Sequence, residues 1–240
     1  MSNKIFTEEY KIRFYDVDCK YRLKPETILA WAGELAGDHL RSKNITREQM
    51  WEDGQVFLLT RCIMRYNKTP RYHDSISMNT WEYGTKGVQF NRLYDITDED
   101  GNVCIESHSL WVLVNPQTHR ILRPKEYAYE MDKADKNLNI STDKIVYKQG
   151  DFVGNYKFLY SDLDANGHVN NGAYVRLAQS YCPMDIKKRD IFELDISFIK
   201  EAMEGDEIKI FSKVIDEITY QIYGEFQDGK HSFEAQIKLR

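Results

Sequence analysis

The feature that most constrains this 240-residue chain is a single pattern run twice. Residues 9–16 alternate, with Tyr10, Ile12 and Phe14 on one side, and read as a strand. A turn-rich loop then leads to Pro25, which suits a first helical position, and Ile28, Ala32, Leu35, Ala36 and Leu40 follow at helical spacing. Strand-like runs come next at 57–65, 75–83, 88–96 and 103–114, the last two flanking Asp98-Glu99-Asp100-Gly101, a hairpin turn signal. The order then restarts. A strand near 156–160 precedes the loop 161–171, and Ala173, Tyr174, Leu177, Ala178 and Tyr181 share a helical face. Strands near 194–199, 207–214, 219–226 and 231–239 complete the second pass.

The passes align residue by residue. Asp18 corresponds to Asp164 at an offset of 146 (164 − 18), Asp74 to Asp206 at 132 (206 − 74), and Gly101 to Gly229 at 128 (229 − 101). The falling offset means shorter loops in the second pass. Each sheet needs cover for its apolar face, and one helix per sheet provides it. The expected fold is therefore α+β, a long helix wrapped by a curved antiparallel sheet, duplicated in tandem. The competing reading is two unrelated α+β pieces that share general patterning. The boundaries expected are one unit over 1–130, a polar and weakly periodic linker over 131–150, and a second unit over 151–240.

Charge and composition remove several function classes. With 33 Lys+Arg against 38 Asp+Glu the net charge is −5, which gives no overall attraction to nucleic acid or anionic lipid. No long uncharged apolar stretch is present to span a membrane. Cys19, Cys62, Cys104 and Cys182 lie far apart with no paired spacing, which fits reduced thiols rather than a disulfide frame or a zinc site. The first residues have no apolar core of signal-peptide length, so the expected compartment is the cytoplasm. No nucleophile elbow, phosphate loop, dinucleotide fingerprint or HExxH is found, and neither cofactor nor metal is expected.

What remains is the loop before the second helix. Asp164, Asn166 and His168 occupy every second position, so in an extended stretch their side chains share a side. The helix start that follows, near residues 169–171, offers backbone N–H groups suited to an oxyanion. Singly, such residues are ordinary turn formers. The repeat sharpens their meaning: the first pass has Asp18, Lys20 and Arg22 there, keeping the carboxylate and losing the amide and imidazole. That asymmetry predicts one functional site, in the second half.

The string DxNxHVNNxxY over 164–174 resembles the signature of the acyl-acyl carrier protein thioesterases of plants and bacteria. Stretches 65–70, 80–84 and 109–114 are similar to that family's first half, so the likeness runs over nearly the whole chain. It implies a double hotdog fold and hydrolysis of fatty acyl thioesters to free fatty acid and carrier thiol. It places the catalytic positions on Asp164, Asn166 and His168, and a further motif of a basic residue followed by Glu-Cys on Lys200-Glu201-Ala202. The cysteine of that motif is Ala202 here, so a thiol nucleophile at that position is excluded.

A water route needs no thiol. The expectation is that Glu201, or else Asp164, acts as general base, its pKa raised by burial between the halves, while Asn166 and His168 orient water or polarise the carbonyl. The first half would hold the acyl chain beside Trp31 and Leu35, with Gly33 and Gly37 opening a tunnel; tight packing is the alternative use of such small residues. The expected partner is an acidic acyl carrier protein, received by 187–189 or by Arg120, Arg123 and Lys125, with association into a homodimer left open. Rival functions are an acyl-CoA thioesterase on the same fold and a non-catalytic acyl-binding protein.

Overall fold

The computed structural model describes residues 4–184, 186 and 188–240. Its elements are β1 (Phe6–Lys11), α1 (Pro25–Ser42), α2 (Arg47–Glu52), β2 (Val56–Tyr66), β3 (Ser75–Lys86), β4 (Gln89–Asp98), β5 (Val103–Val114) and β6 (Ile121–Leu122) in the first half. The second half has β7 (Asp151–Lys157), α3 (Asn171–Ser180), β8 (Ile191–Phe198), β9 (Glu207–Val214), β10 (Thr219–Glu225) and β11 (His231–Leu239). Among the described residues no helix is long and apolar enough to cross a membrane.

One antiparallel sheet runs through both halves in the order β1-β3-β4-β5-β2-β8-β11-β10-β9-β7, with β6 added to β5. The order reads the same from either end once β7 to β11 are matched to β1 to β5. The halves join where β2 pairs with β8, and Ile63 lies opposite Asp195. These two residues are themselves 132 apart, the offset that relates Asp74 to Asp206, so a pseudo-twofold axis passes through this pair. Across it Arg61 meets Asp195 at 2.6 Å and Arg65 meets Glu193 at 3.0 Å, tying the units together.

The duplication extends to single hydrogen bonds. Asp16 accepts the Arg13 N–H at 2.7 Å and Asp162 accepts the Leu159 N–H at 3.1 Å, each capping a 3-10 turn. These turns explain why the strands expected at 9–16 and 156–160 end earlier, at Lys11 and Lys157. Further on, Arg71 N–H donates to Asp74 at 2.8 Å and Met203 N–H to Asp206 at 2.9 Å.

Helix α1 buries Ile28, Leu29, Ala32, Leu35, Ala36 and His39 against the first half-sheet, and α3 buries Ala173, Tyr174, Val175, Leu177 and Ala178 against the second. One apolar core spans the two helices and both half-sheets. The short helix α2 was not among the expected elements, although its signal is local: Thr46 accepts the Gln49 N–H at 3.2 Å while the Gln49 side chain receives the Thr46 N–H at 3.0 Å. Residues 131–150 cross the outer face of the sheet. Their carbonyls receive Trp81 Nε1 at Lys136 (2.8 Å), Arg65 at Asn139 (2.6 Å) and Arg61 at Thr142 (3.0 Å). The segment is weakly periodic because side chains of the sheet, rather than its own backbone, satisfy it.

Candidate active site

In each half the loop between first strand and helix closes on an aspartate. Asp164 Oδ1 accepts the N–H groups of Asn166 at 2.8 Å and His168 at 3.2 Å, and its own N–H donates to the His168 carbonyl at 2.8 Å. Asp18 does the same with Lys20 at 2.8 Å and Arg22 at 3.0 Å, and its N–H reaches the Arg22 carbonyl at 2.8 Å. The second oxygen of Asp164 takes the Asn166 amide at 3.0 Å. This is turn chemistry common to both halves. In the second half both oxygens of the Asp164 carboxylate take part in shaping the loop.

The loop presents His168 to the turn that follows β8. Residues 168 and 203 form a bridge, Val169 N–H donates to the Ala202 carbonyl at 2.9 Å, and Ala202 N–H donates to the buried Tyr174 hydroxyl at 3.2 Å. These bonds fix Glu201 beside the imidazole, with His168 Nδ1 3.5 Å from Glu201 Oε2. The first half repeats the frame: Leu23 N–H donates to the Pro70 carbonyl at 2.8 Å and residues 22 and 71 form the matching bridge. There Arg22 and Thr69 stand where His168 and Glu201 stand in the second half.

Two expectations change. The side chains of His168 and Glu201 are 38% and 56% exposed, so the pair opens to solvent and the burial foreseen around the carboxylate is not there. Of the helix-start N–H groups, Val169 is spent on Ala202 and Asn170 on the Asp162 carbonyl at 2.8 Å. Asn166 is exposed, and its side-chain oxygen receives a short hydrogen bond from Arg47 at the start of α2. Ala202 is fully buried, so that position adds packing and backbone bonds, and the face open to solvent comes from its neighbour Glu201. Burial pushes the Cys62 thiol up to about 12 and also raises Cys182.

The residues assigned to the acyl chain separate. Leu35 is fully buried in the core and Trp31 stacks on Tyr10 with ring centres 4.6 Å apart. Gly33 and Gly37 lie on the solvent side of α1, and a Cβ built on either meets nothing within 4 Å. They open no tunnel; the buried face through Ile28, Ala32, Leu35 and His39 lies on the other side of the helix. Of the basic clusters, Arg120 is paired with Glu126 at 2.8 Å, a contact that holds the Glu126 carboxyl down at about 2. Lys187 lies outside the described residues.

Three residues important to this geometry were not singled out by role. Tyr174 anchors the Glu201 turn, and its signal was its place in the 164–174 string. Asp162, 5% exposed, accepts the Tyr156 hydroxyl at 3.0 Å and Arg176 at 3.1 Å, and so secures the strand and the helix on either side of the loop. Arg47 reaches Asn166 from 119 positions away and had no local signal.

Comparison with known proteins agrees along the whole length. Residues 3–145 match the acyl-ACP thioesterase N-terminal domain and residues 147–239 its C-terminal domain. A chloroplastic palmitoyl-acyl carrier protein thioesterase of Gossypium hirsutum is 25% identical, over 90% of this chain and 56% of that protein. The chain thus spans about half the length of the curated relatives it matches. An acyl-ACP thioesterase structure from Bacteroides thetaiotaomicron has a TM-score of 0.91 at 20% identity, covering 99% of this chain and 98% of that one. A 12:0-ACP thioesterase from Umbellularia californica has a TM-score of 0.82 at 18% identity, covering 100% and 98%. These likenesses show the fold, a double hotdog. With both domains of the family matched in order, the chain belongs to the acyl-ACP thioesterase family.

Proposed function

We propose that the protein hydrolyses fatty acyl thioesters of acyl carrier protein, releasing free fatty acid and the carrier thiol and so ending fatty acid synthesis. The observation that carries this reading is the pairing of His168 with Glu201 in one half only, on a loop frame that the other half repeats with Arg22 and Thr69. Glu201 takes a proton from water as the oxygen attacks the thioester carbonyl. The imidazole, 3.5 Å away, holds that carboxylate in place. Asn166 spends one amide hydrogen on Asp164 and offers the other to the developing oxyanion. When the tetrahedral intermediate collapses, the C–S bond breaks and the proton on Glu201 returns to the leaving thiolate. Asp164, Asp162 and Tyr174 are positioning residues. Trp31 and Leu35 lie on the side of α1 packed against the core, where an acyl chain entering between helix and sheet would meet them.

An acidic carrier docks on a basic face near the loop, and Arg47 with Arg123 and Lys125 supply one. Leu122 packs in the same cluster as Met50 of α2, which brings the 120–125 segment to the side of the molecule where Arg47 reaches Asn166. Four cysteines, all free thiols, suit the reducing cytoplasm. The test is turnover of one acyl chain on carrier protein and on CoA by the parent, His168→Ala and Glu201→Gln. Both variants should lose about a hundredfold or more in kcat while remaining folded. Parent-like turnover by both removes the pair from the chemistry, and a preference for CoA replaces the carrier as substrate.

A further inference from the structure

The pseudo-twofold axis makes the first half an internal control for the second. Where the loop and turn of the second half carry Asn166, His168 and Met203, the first half carries Lys20, Arg22 and Arg71. All three positions have become cationic. The Arg22 guanidinium is 11% exposed and spends its donors on Asp18, on Asp190 at 2.9 Å, and on the carbonyls of Arg189 at 2.7 Å and Ile186 at 3.1 Å. It thereby pins the segment before β8 against the loop. A cleft of about 220 Å³ opens over this junction, and Lys188, Arg189 and Arg240 complete its lining.

Besides Arg22, which is paired with Asp18 and Asp190, the lining carries Lys20, Arg71, Arg189 and Arg240. The remaining guanidinium groups are held by main-chain carbonyls. Arg71 donates to Lys20 O at 3.1 Å, Arg189 to Glu217 O at 2.8 Å and Arg240 to Asn67 O at 3.0 Å. A carbonyl fixes a guanidinium without cancelling its charge, so the cleft is an ordered concentration of positive charge in a chain whose net charge is −5. Planar guanidinium groups held in place match phosphate oxygens in geometry as well as charge. The cleft is small and open to solvent, on the scale of a small anion.

We propose that this first-half cleft binds a small anion bearing at least two phosphate charges. It is a second ligand site, related to the His168–Glu201 site by the pseudo-twofold axis and independent of the hydrolytic reading. The test is calorimetric titration of the full chain with pyrophosphate at constant ionic strength, with ADP as a second probe and sulfate as a control. One saturable site is expected, weakened about tenfold or more in a Lys20→Ser/Arg189→Ser double variant and unchanged in Lys86→Ser and in His168→Ala. Tighter binding of ADP than of pyrophosphate identifies a nucleotide as the source of the phosphates, and equal binding identifies the inorganic anion. Absence of saturable binding, equal response to sulfate, or an unaltered double variant overturns the proposal. So does a double variant whose defect appears only as a raised KM for carrier-bound substrate, which would make the cleft a protein dock.

Discussion

Gly33 and Gly37 offer a sharp test of the orientation of α1. Both lie inside an 18-residue helix, both are exposed, and a Cβ at either has nothing within 4 Å to strike. Replacing each with Ala therefore removes only the helix penalty of glycine, about 1 kcal/mol per site. The double variant should gain about 2 kcal/mol, which for a chain of this size raises Tm by roughly 4–8 °C. Thermal and denaturant unfolding of parent, single and double variants measure it. Gly37→Leu is the companion, since its side chain points to solvent and the fatty acids released by an overexpressing host should keep the parent's chain-length profile. Destabilisation by alanine would show that this face is covered in the working protein. A shortened profile would put residue 37 back against the acyl chain.

Acid should destabilise the first half through His39 and His108. Burial, with Arg92 and Lys43 beside His39 and Arg61 beside His108, lowers both imidazoles from 6.5 to about 4. The unfolded chain then binds protons that the folded chain refuses, so stability declines as pH falls below about 6.5 and the full loss is reached near 4. Between pH 7 and 5 the loss is about 2 kcal/mol per histidine, and denaturant midpoints at the two pH values should show it, less steeply in His39→Gln. Asp18→Ala and Asp164→Ala should each cost about 1–3 kcal/mol of stability, because each leaves two loop N–H groups without their acceptor. An Asp164→Ala protein of parental stability but no activity would restore that carboxylate to the chemistry.

The sequence by itself determined what local chemistry determines. The twofold pattern, the two helices, the hairpin signals and the turn-forming aspartates depend on neighbours within a few positions, where periodicity and Asx turns leave a direct trace. The outward direction of Gly33 and Gly37 was also legible, since they fall away from the stripe through Ile28, Ala32 and Leu35. Reading small residues as room for a ligand hid it. Only the tertiary structure decided which polar residues act together. Glu201 meets His168 because a turn after β8 is tied to the loop by the Val169 and Tyr174 bonds, while Asp164, four residues before His168, makes its hydrogen bonds within the loop. Lys20, Arg71, Arg189 and Arg240 are scattered along the chain, and their shared cleft exists because two similar halves face each other across one pair of strands. Spacing along a chain reports bonds closed locally. Charges and catalytic groups brought together by sheet pairing leave no such record.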